Sequence, residues 1–470
     1  MIRHSGRERL RVEGAGVMTA ERAARAIESF LVRHRDRLVW LHAAMAAVFV
    51  AVIVVPAFLP DPPGEATPLT HWVTFANVAL WGLWFPLVFL SVIVTGRSWC
   101  GLLCPMGAAA EWANRRGPQR AVPRWLKWEG TPVVSFLFVT ILGQTVGVRD
   151  HPEAALEVFG GTLLAAVLLG WLYGRRKRAW CRHACPIGLL LGVFSRIGAV
   201  QLAPRIRREG GDAWTEKGVC PTMIDLPRKE ESRHCIQCFR CVNPQAKGSL
   251  ELRLRTPGAE AEQIRHHHPN AAEVWFLFLG TGVALGGFLW LVLPQYQHLR
   301  QAIGVWAVER GIFWIGEPGP WWLMSVHPER REVFVWLDFF LIVGFMLVVM
   351  AAMTAALGAL TAASAWLAGR LGAPLPFRSR FVELGYQYAP VAMVSLVVGL
   401  GGTLFEPLGT LAGAAKGVLF VLGILWSLWL GWRILAVQGL GKAPRLLALA
   451  PGLIGTVSVA LAWWPAIFGL

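Results

Sequence analysis

Runs of roughly twenty residues without a charge recur along this chain, each long enough to cross a hydrocarbon layer of about 30 Å as a helix. They fall at 38–58, 73–95, 129–147, 156–173, 273–293, 336–358, 385–405, 414–433 and 446–467. The pattern predicts an all-α polytopic membrane protein of about nine transmembrane helices, the only open-ended architecture that satisfies every backbone group inside lipid. Polar stretches divide the chain into a basic tail at 1–37, a four-span region at 38–173, a polar segment at 174–272 and a C-terminal membrane region at 273–470.

Composition agrees. Only 16% of the 470 residues are charged and 55% are hydrophobic, whereas soluble chains carry about 25% charge, so a string of soluble domains is excluded. The tail holds Arg3, Arg7, Arg9, Arg11, Arg22, Arg25, Arg33, Arg35 and Arg37 around no apolar core, and does not read as a secretory leader. The net charge of +16 has a topological meaning. Lys and Arg gather in loops beside spans, as the positive-inside rule requires, where they also meet anionic lipids; nucleic acid is not an expected partner. The bias places the tail, the loop with Arg97, Arg115, Arg116, Arg120, Arg124 and Lys127, and the segment 174–272 on the cytoplasmic side. The stretch "LPDPPGEATPLTHW" at 59–72, the turn at 143–154, the Trp-rich loop 294–335 and the C-terminus fall on the outer side.

All eight cysteines sit in the predicted cytoplasmic segments and none in a predicted span. A reducing compartment disfavours disulfides, and packing cysteines would scatter through the helices, so the set reads as metal ligands. In "RHCIQCFRCVNPQAKGSLEL", Cys235, Cys238 and Cys241 stand at three-residue intervals, which lets one loop wrap three corners of a cubane. Cys220 in "KGVCPTMIDLP" supplies the fourth, giving one [4Fe-4S] cluster; zinc on four thiolates is the rival. The stretches "RSWCGLLCPMG" at 97–107 and "RAWCRHACPIG" at 178–188 repeat one frame, Arg-x-Trp-Cys-x3-Cys-Pro-x-Gly, 81 residues apart. If the two loops meet, Cys100, Cys104, Cys181 and Cys185 hold a second [4Fe-4S] cluster; a redox dithiol or plain packing are the alternatives.

Neighbouring residues take secondary roles. Gly107 and Gly188 are expected to give each frame a tight turn, Trp99 and Trp180 to anchor at the interface, and Arg97, Arg178 and Arg182 to neutralise a cluster. Peptide donors near Gly248 and Ser249 are expected to reach cluster sulfurs. His42 and His71 begin their spans on opposite faces and do not pair for a b haem. No nucleotide-binding loop is present. Asp338 and Glu406, near predicted span ends, are candidates for quinone proton chemistry.

The two Cys-x3-Cys-Pro frames, followed by "GVCPTMIDLPRKEESRHCIQCFRCVNPQAKGSL", resemble the polyferredoxin-type membrane 4Fe-4S proteins. These include the NapH-type quinol dehydrogenase component and the C-terminal half of NosR-type proteins. The resemblance covers about residues 70–250. It implies electron transfer between the quinone pool, or a cytoplasmic donor protein, and a periplasmic cytochrome or reductase. It also implies that the eight cysteines named above are the cluster ligands. The ferredoxin module is reduced here to one four-cysteine site, and the C-terminal membrane region fits neither group. The expected function is an electron-transfer component of a quinol dehydrogenase-like system, with no catalytic residue assigned. A redox-sensing or metalloenzyme-maturation factor, and a transporter with a structural cluster, are the alternatives.

Overall fold

A computed structural model describes residues 15–205, 214–215 and 218–469. His4 and the first four arginines of the tail lie outside the described residues. An amphipathic helix α1 (Ala15–Arg33) precedes α2 (Arg35–Phe58) and α3 (Trp72–Thr95). After them come α4 (Pro105–Arg116), α5 (Thr131–Thr145), α6 (Pro152–Leu172) and α7 (Gly188–Ser195). The C-terminal region holds α8 (Ala271–Val292), α9 (Pro294–Glu309), α10 (Trp336–Arg370), α11 (Phe377–Leu400), α12 (Gly402–Val437) and α13 (Lys442–Phe468).

Eight of these, α2, α3, α6, α8 and α10 to α13, are long and apolar enough to cross a membrane. The stretch expected to span at 129–147 forms the shorter apolar helix α5, of 15 residues or about 22 Å at 1.5 Å each; it leads to a turn at Gly147, whose φ of 70° is left-handed. The all-α reading is corrected. Strands β1 (Val200–Pro204) and β2 (Leu250–Leu254) pair antiparallel, Val200 opposite Leu254 and Pro204 opposite Leu250. A two-residue ladder joins Val326–His327 to Glu332–Val333. The Trp-rich loop 294–335 begins with the helix α9.

The repeated cysteine frames belong to a structural duplication in which each half closes on the other. After the first frame the chain ends α4 at Gly117, where a Cβ would stand 1.9 Å from Trp171 O in α6. After the second frame it ends α7 at Gly198, where a Cβ would stand 2.5 Å from Val92 O in α3. Gly117 and Gly198 are thus equivalent, each allowing one repeat's backbone to touch the other's span. Asn114, fully buried, completes the first junction by donating to Gly170 O at 2.6 Å and Tyr173 O at 2.8 Å. The two frames are brought to one place by this exchange.

The C-terminal helices form a second body around α11, which is almost wholly buried. One arginine fastens it to the first. Arg196, fully buried after α7, donates through Nε to Glu273 Oε2 of α8 at 2.7 Å and through Nη1 to Glu260 Oε1 at 3.0 Å. Its Nη2 also donates to Glu273 Oε1 at 3.0 Å and to Glu231 Oε2 at 3.3 Å, and the carbonyls of His267 and His268 accept as well, so the "HHH" stretch adds backbone acceptors to this cation. Tyr386 donates its hydroxyl to Glu273 Oε2 at 2.5 Å.

Candidate iron–sulfur centres and an adjoining cavity

Both frames end their spans in the same local geometry. The Cys104 N–H donates to Trp99 O and the Cys185 N–H to Trp180 O, each at 2.9 Å, closing the x3 loop so that both of its sulfurs face one side. The paired tryptophans therefore act through their carbonyls. Trp180 is 4% exposed, and Trp99 lies edge-on against Trp84 at 5.2 Å, so the expectation of interface anchors is corrected for Trp180. Gly107 and Gly188 do not have left-handed φ. Gly107 instead leaves space, since a Cβ there would come within 3.1 Å of Cys181 Sγ.

The structure assembles the eight cysteines, all free thiols, into the two expected quartets. Burial pushes the Cys104 thiol up to about 11, with Cys100 adding to it. Burial pushes Cys181 up to about 12 against the pull of Arg178, with Cys104 and Cys100 raising it further. Cys185 is raised well above its ordinary value by burial and then by Cys181, Cys104 and Cys100. In the second quartet burial raises Cys241, followed by Cys235, Cys238 and Cys220. Four thiols that each penalise their neighbours' ionisation are stable as thiolates only around a cation or cluster.

Ligand spacing favours a cluster over zinc. Among the described residues, the group of three or more ligand atoms lying within 4.8 Å of one another is His151, Glu153 and His327, and no cysteine trio is that tight. A tetrahedral zinc with Zn–S near 2.3 Å would need sulfurs about 3.8 Å apart. The wider spread suits a cubane.

The second quartet has a further signature. Gln237 and Phe239, one inside each Cys-x2-Cys step, have φ of 49° and 58°. These left-handed positions turn the Gln237 N–H onto the Cys235 sulfur and the Arg240 N–H onto that of Cys238. Left-handed non-glycine residues are uncommon and cluster at functional sites. No glycine marks them, so nothing in the amino-acid sequence signals them. The expected donors at Gly248 and Ser249 act differently: beside them, the Leu250 N–H donates to Cys241 O at 3.1 Å, continuing into β2. Cys220, Cys235, Cys238 and Cys241 together line a narrow cavity with Leu202 and Leu250 of the two strands.

Arg178 lies between the quartets. It is fully buried, donates through Nη1 to Cys100 O at 3.0 Å and through Nε to Glu111 Oε2 at 2.8 Å, and acts electrostatically on both Cys181 and Cys238. Its Nη2 is buried with no protein partner, as is Arg97 Nε. Arg97 also points Nη2 at Cys100 Sγ, 3.9 Å away. Unpaired guanidinium protons beside thiols fit the sulfides of a negative cluster. Glu111 balances this charge: burial raises its pKa, but Arg240 and Arg178 outweigh burial and hold it at about 2. Glu111 and Arg240 were missed from sequence because only tertiary structure brings them to Arg178. Gly101 sets the separation of the quartets, since a Cβ there would lie 2.2 Å from Ile236 O and 2.7 Å from Cys238 N.

An apolar cavity of about 210 Å³ reaches the first quartet. Cys104 and Cys185 form part of its wall beside Trp81, Trp84, Phe159 and Phe288, and Thr140, Gln144 and Arg149 supply polar atoms. Two π-helical stretches face it, Val78–Trp84 in α3 and Leu156–Gly160 in α6, and a third, Trp99–Leu103, carries Cys100. Such wide turns cost backbone stability and recur at functional sites. Asp338 and Glu406, the expected proton-handling acids, are not in this wall. Asp338 pairs with Arg300 and accepts from Val335 N at 3.1 Å, a helix-capping role.

The 4Fe-4S binding domain family Fer4_5 matches twice, at residues 78–127 and 157–205. The two matches coincide with the two halves that exchange glycine contacts. The chain is similar to an uncharacterised protein of Methanocaldococcus jannaschii, 24% identical over 37% of this chain and 72% of that one. It is similar to the methylamine utilization ferredoxin-type protein MauN of Methylorubrum extorquens, 30% identical over 34% of this chain and 58% of the relative. It is also similar to the ferredoxin-type protein NapH of Escherichia coli, 26% identical over 39% of this chain and 71% of that protein. No solved structure matches.

Proposed function

We propose that this chain, a polyferredoxin-type membrane iron–sulfur protein, exchanges electrons between the quinone pool and a redox partner through two [4Fe-4S] clusters. Cys100, Cys104, Cys181 and Cys185 hold one and Cys220, Cys235, Cys238 and Cys241 the other. When bound, the clusters supply one-electron storage; the chain's own residues position the quinol, exclude water and balance charge. The observation that carries this reading is the apolar cavity walled by Cys104 and Cys185. It is lined by aromatic and aliphatic side chains that suit a quinone ring, with Gln144 and Arg149 able to bond its oxygens. Gln144 is oriented by accepting from Trp290 Nε1 at 3.1 Å. In this reading the cysteine face is cytoplasmic, the membrane is the bacterial inner membrane, and the final acceptor is a periplasmic cytochrome or reductase.

Anaerobic purification followed by iron and sulfide analysis and EPR tests it. About eight of each per chain, with both EPR signals appearing on addition of menaquinol or ubiquinol, is the expected result. About four of each removes the cluster assigned to the repeated frames. Clusters that quinol never reduces remove the quinone.

A further inference from the structure

A groove of about 810 Å³ between α2 and α4 plays no part in the electron-transfer reading. Val39, Ala43 and Ala46 of α2 line one side of it, and Ala108, Ala109 and Trp112 of α4 line the other. The four alanines have only methyl side chains, which leaves the space between the helices unfilled. From Arg35 to Ala46 the wall runs about 16 Å at 1.5 Å per residue, roughly half the depth of a hydrocarbon core. Trp112 is 60% exposed, as suits an aromatic side chain at the edge of a bilayer.

The same groove is basic at the cysteine end. Arg35, Arg115, Arg178 and Arg240 line it against two carboxylates, Asp36 and Glu111. Glu111 is shared three ways, accepting from Arg115 at 3.1 Å and from Arg178 and Arg240 at 2.8 Å each. Arg35 donates through Nε to Val32 O at 3.3 Å and forms no ion pair among the described residues. His42 donates through Nε2 to Gly101 O at 3.1 Å, tying α2 to the loop of the first frame, and Cys238 of the second quartet lines the same groove. An apolar channel half a bilayer deep, with surplus guanidinium charge at its interfacial end, matches a molecule with an acyl chain and an anionic head. A neutral quinone would leave the surplus unmatched, and an acidic peptide would leave the alanine walls unmatched.

We propose that this groove holds one anionic phospholipid, with its phosphate on Arg35 and Arg115 and an acyl chain along Ala43, Ala46 and Ala109, and that the bound phosphate makes the neighbouring second centre harder to reduce. Arg115 then divides its protons between the phosphate and Glu111, and negative charge is brought toward Cys238. Negative charge close by opposes the addition of an electron. The lipid site stands without the cluster reading; the effect on the second centre rests on it.

The test places the whole protein in nanodiscs of phosphatidylcholine with a minor share of phosphatidylglycerol, then strips it with detergent and counts retained lipid by mass spectrometry. The expected result is one phosphatidylglycerol per chain, with phosphatidylcholine washed away. Arg35→Gln with Arg115→Gln should cut retention at least fivefold. Ala43→Phe, which fills the channel and leaves every charge in place, should cut it similarly. Arg378→Gln, at an exposed arginine outside the groove, should change nothing. Equal retention of both lipids, or an equal loss in Arg378→Gln, would overturn the site. Redox titration followed by EPR reads the second half of the proposal. The second centre should be harder to reduce in phosphatidylglycerol than in phosphatidylcholine, the first centre should move less, and the double variant should abolish the difference. Retained lipid without that shift overturns the coupling and leaves the site. A chain lacking the second EPR signal overturns the cluster reading and the coupling with it, while lipid retention still reads the site.

Discussion

The two cysteine quartets present the same ligands in opposite ways. The first is assembled from two distant frames at the ends of α3 and α6, and one side of it opens on an apolar cavity. The second comes from one segment that folds back through left-handed turns beneath β1 and β2. The first is positioned by the membrane helices. The second is positioned by its own loop. In the proposed reading, duplication supplies an entry site for electrons, while the local Cys-x2-Cys run supplies a store.

The largest effect expected from breaking this pairing is compositional. Cys185→Ser should lower iron from about eight to about four per chain and abolish quinol-driven reduction, leaving the second EPR signal. Cys235→Ser should remove that second signal and leave quinol reactivity. Next is the arginine between them. Arg178→Ala leaves Glu111 to Arg240 alone among its buried partners and removes the donor to Cys100 O, a loss of about 1.5–3 kcal/mol measurable as earlier thermal bleaching. It should also lower both potentials, because a cation that stabilises the reduced clusters is gone. Gly101→Ala should cost about 1–3 kcal/mol by forcing Ile236 and Cys238 away.

The smallest effect is a pH dependence of the joint with the C-terminal body. Burial opposes ionisation of Glu260, but Arg255 and Arg196 prevail and lower it from 4.5 to about 2. A depressed folded value means that this stability is complete above pH 4.5 and fades as pH falls toward 2. Acid unfolding should therefore release the C-terminal helices in that window, and Glu260→Gln should remove the dependence.

The spans and the cysteine spacings were readable in the chain because hydropathy runs and x2 or x3 intervals are local properties. The grouping of Cys100 and Cys104 with Cys181 and Cys185 was suggested by the repeat of the frame. What stayed hidden depends on distance in sequence. Strand β1 pairs with β2 across the whole cysteine loop, and Arg178 meets Glu111 and Arg240 from three segments. Gln237 and Phe239 adopt left-handed backbone without being glycine. The apolar run at 129–147 extends past Thr145, where helix α5 ends, so its composition did not reveal how short the helix is.

The missing side chain of Gly101 has a consequence for how charge moves. With backbone set close against backbone at Gly101, the loops that carry the two quartets pack directly on each other. Transfer from one centre to the other would then be pure tunnelling, independent of diffusion, docking or viscosity. It would continue in a frozen glass in which every soluble ferredoxin has fallen out of reach of its partner.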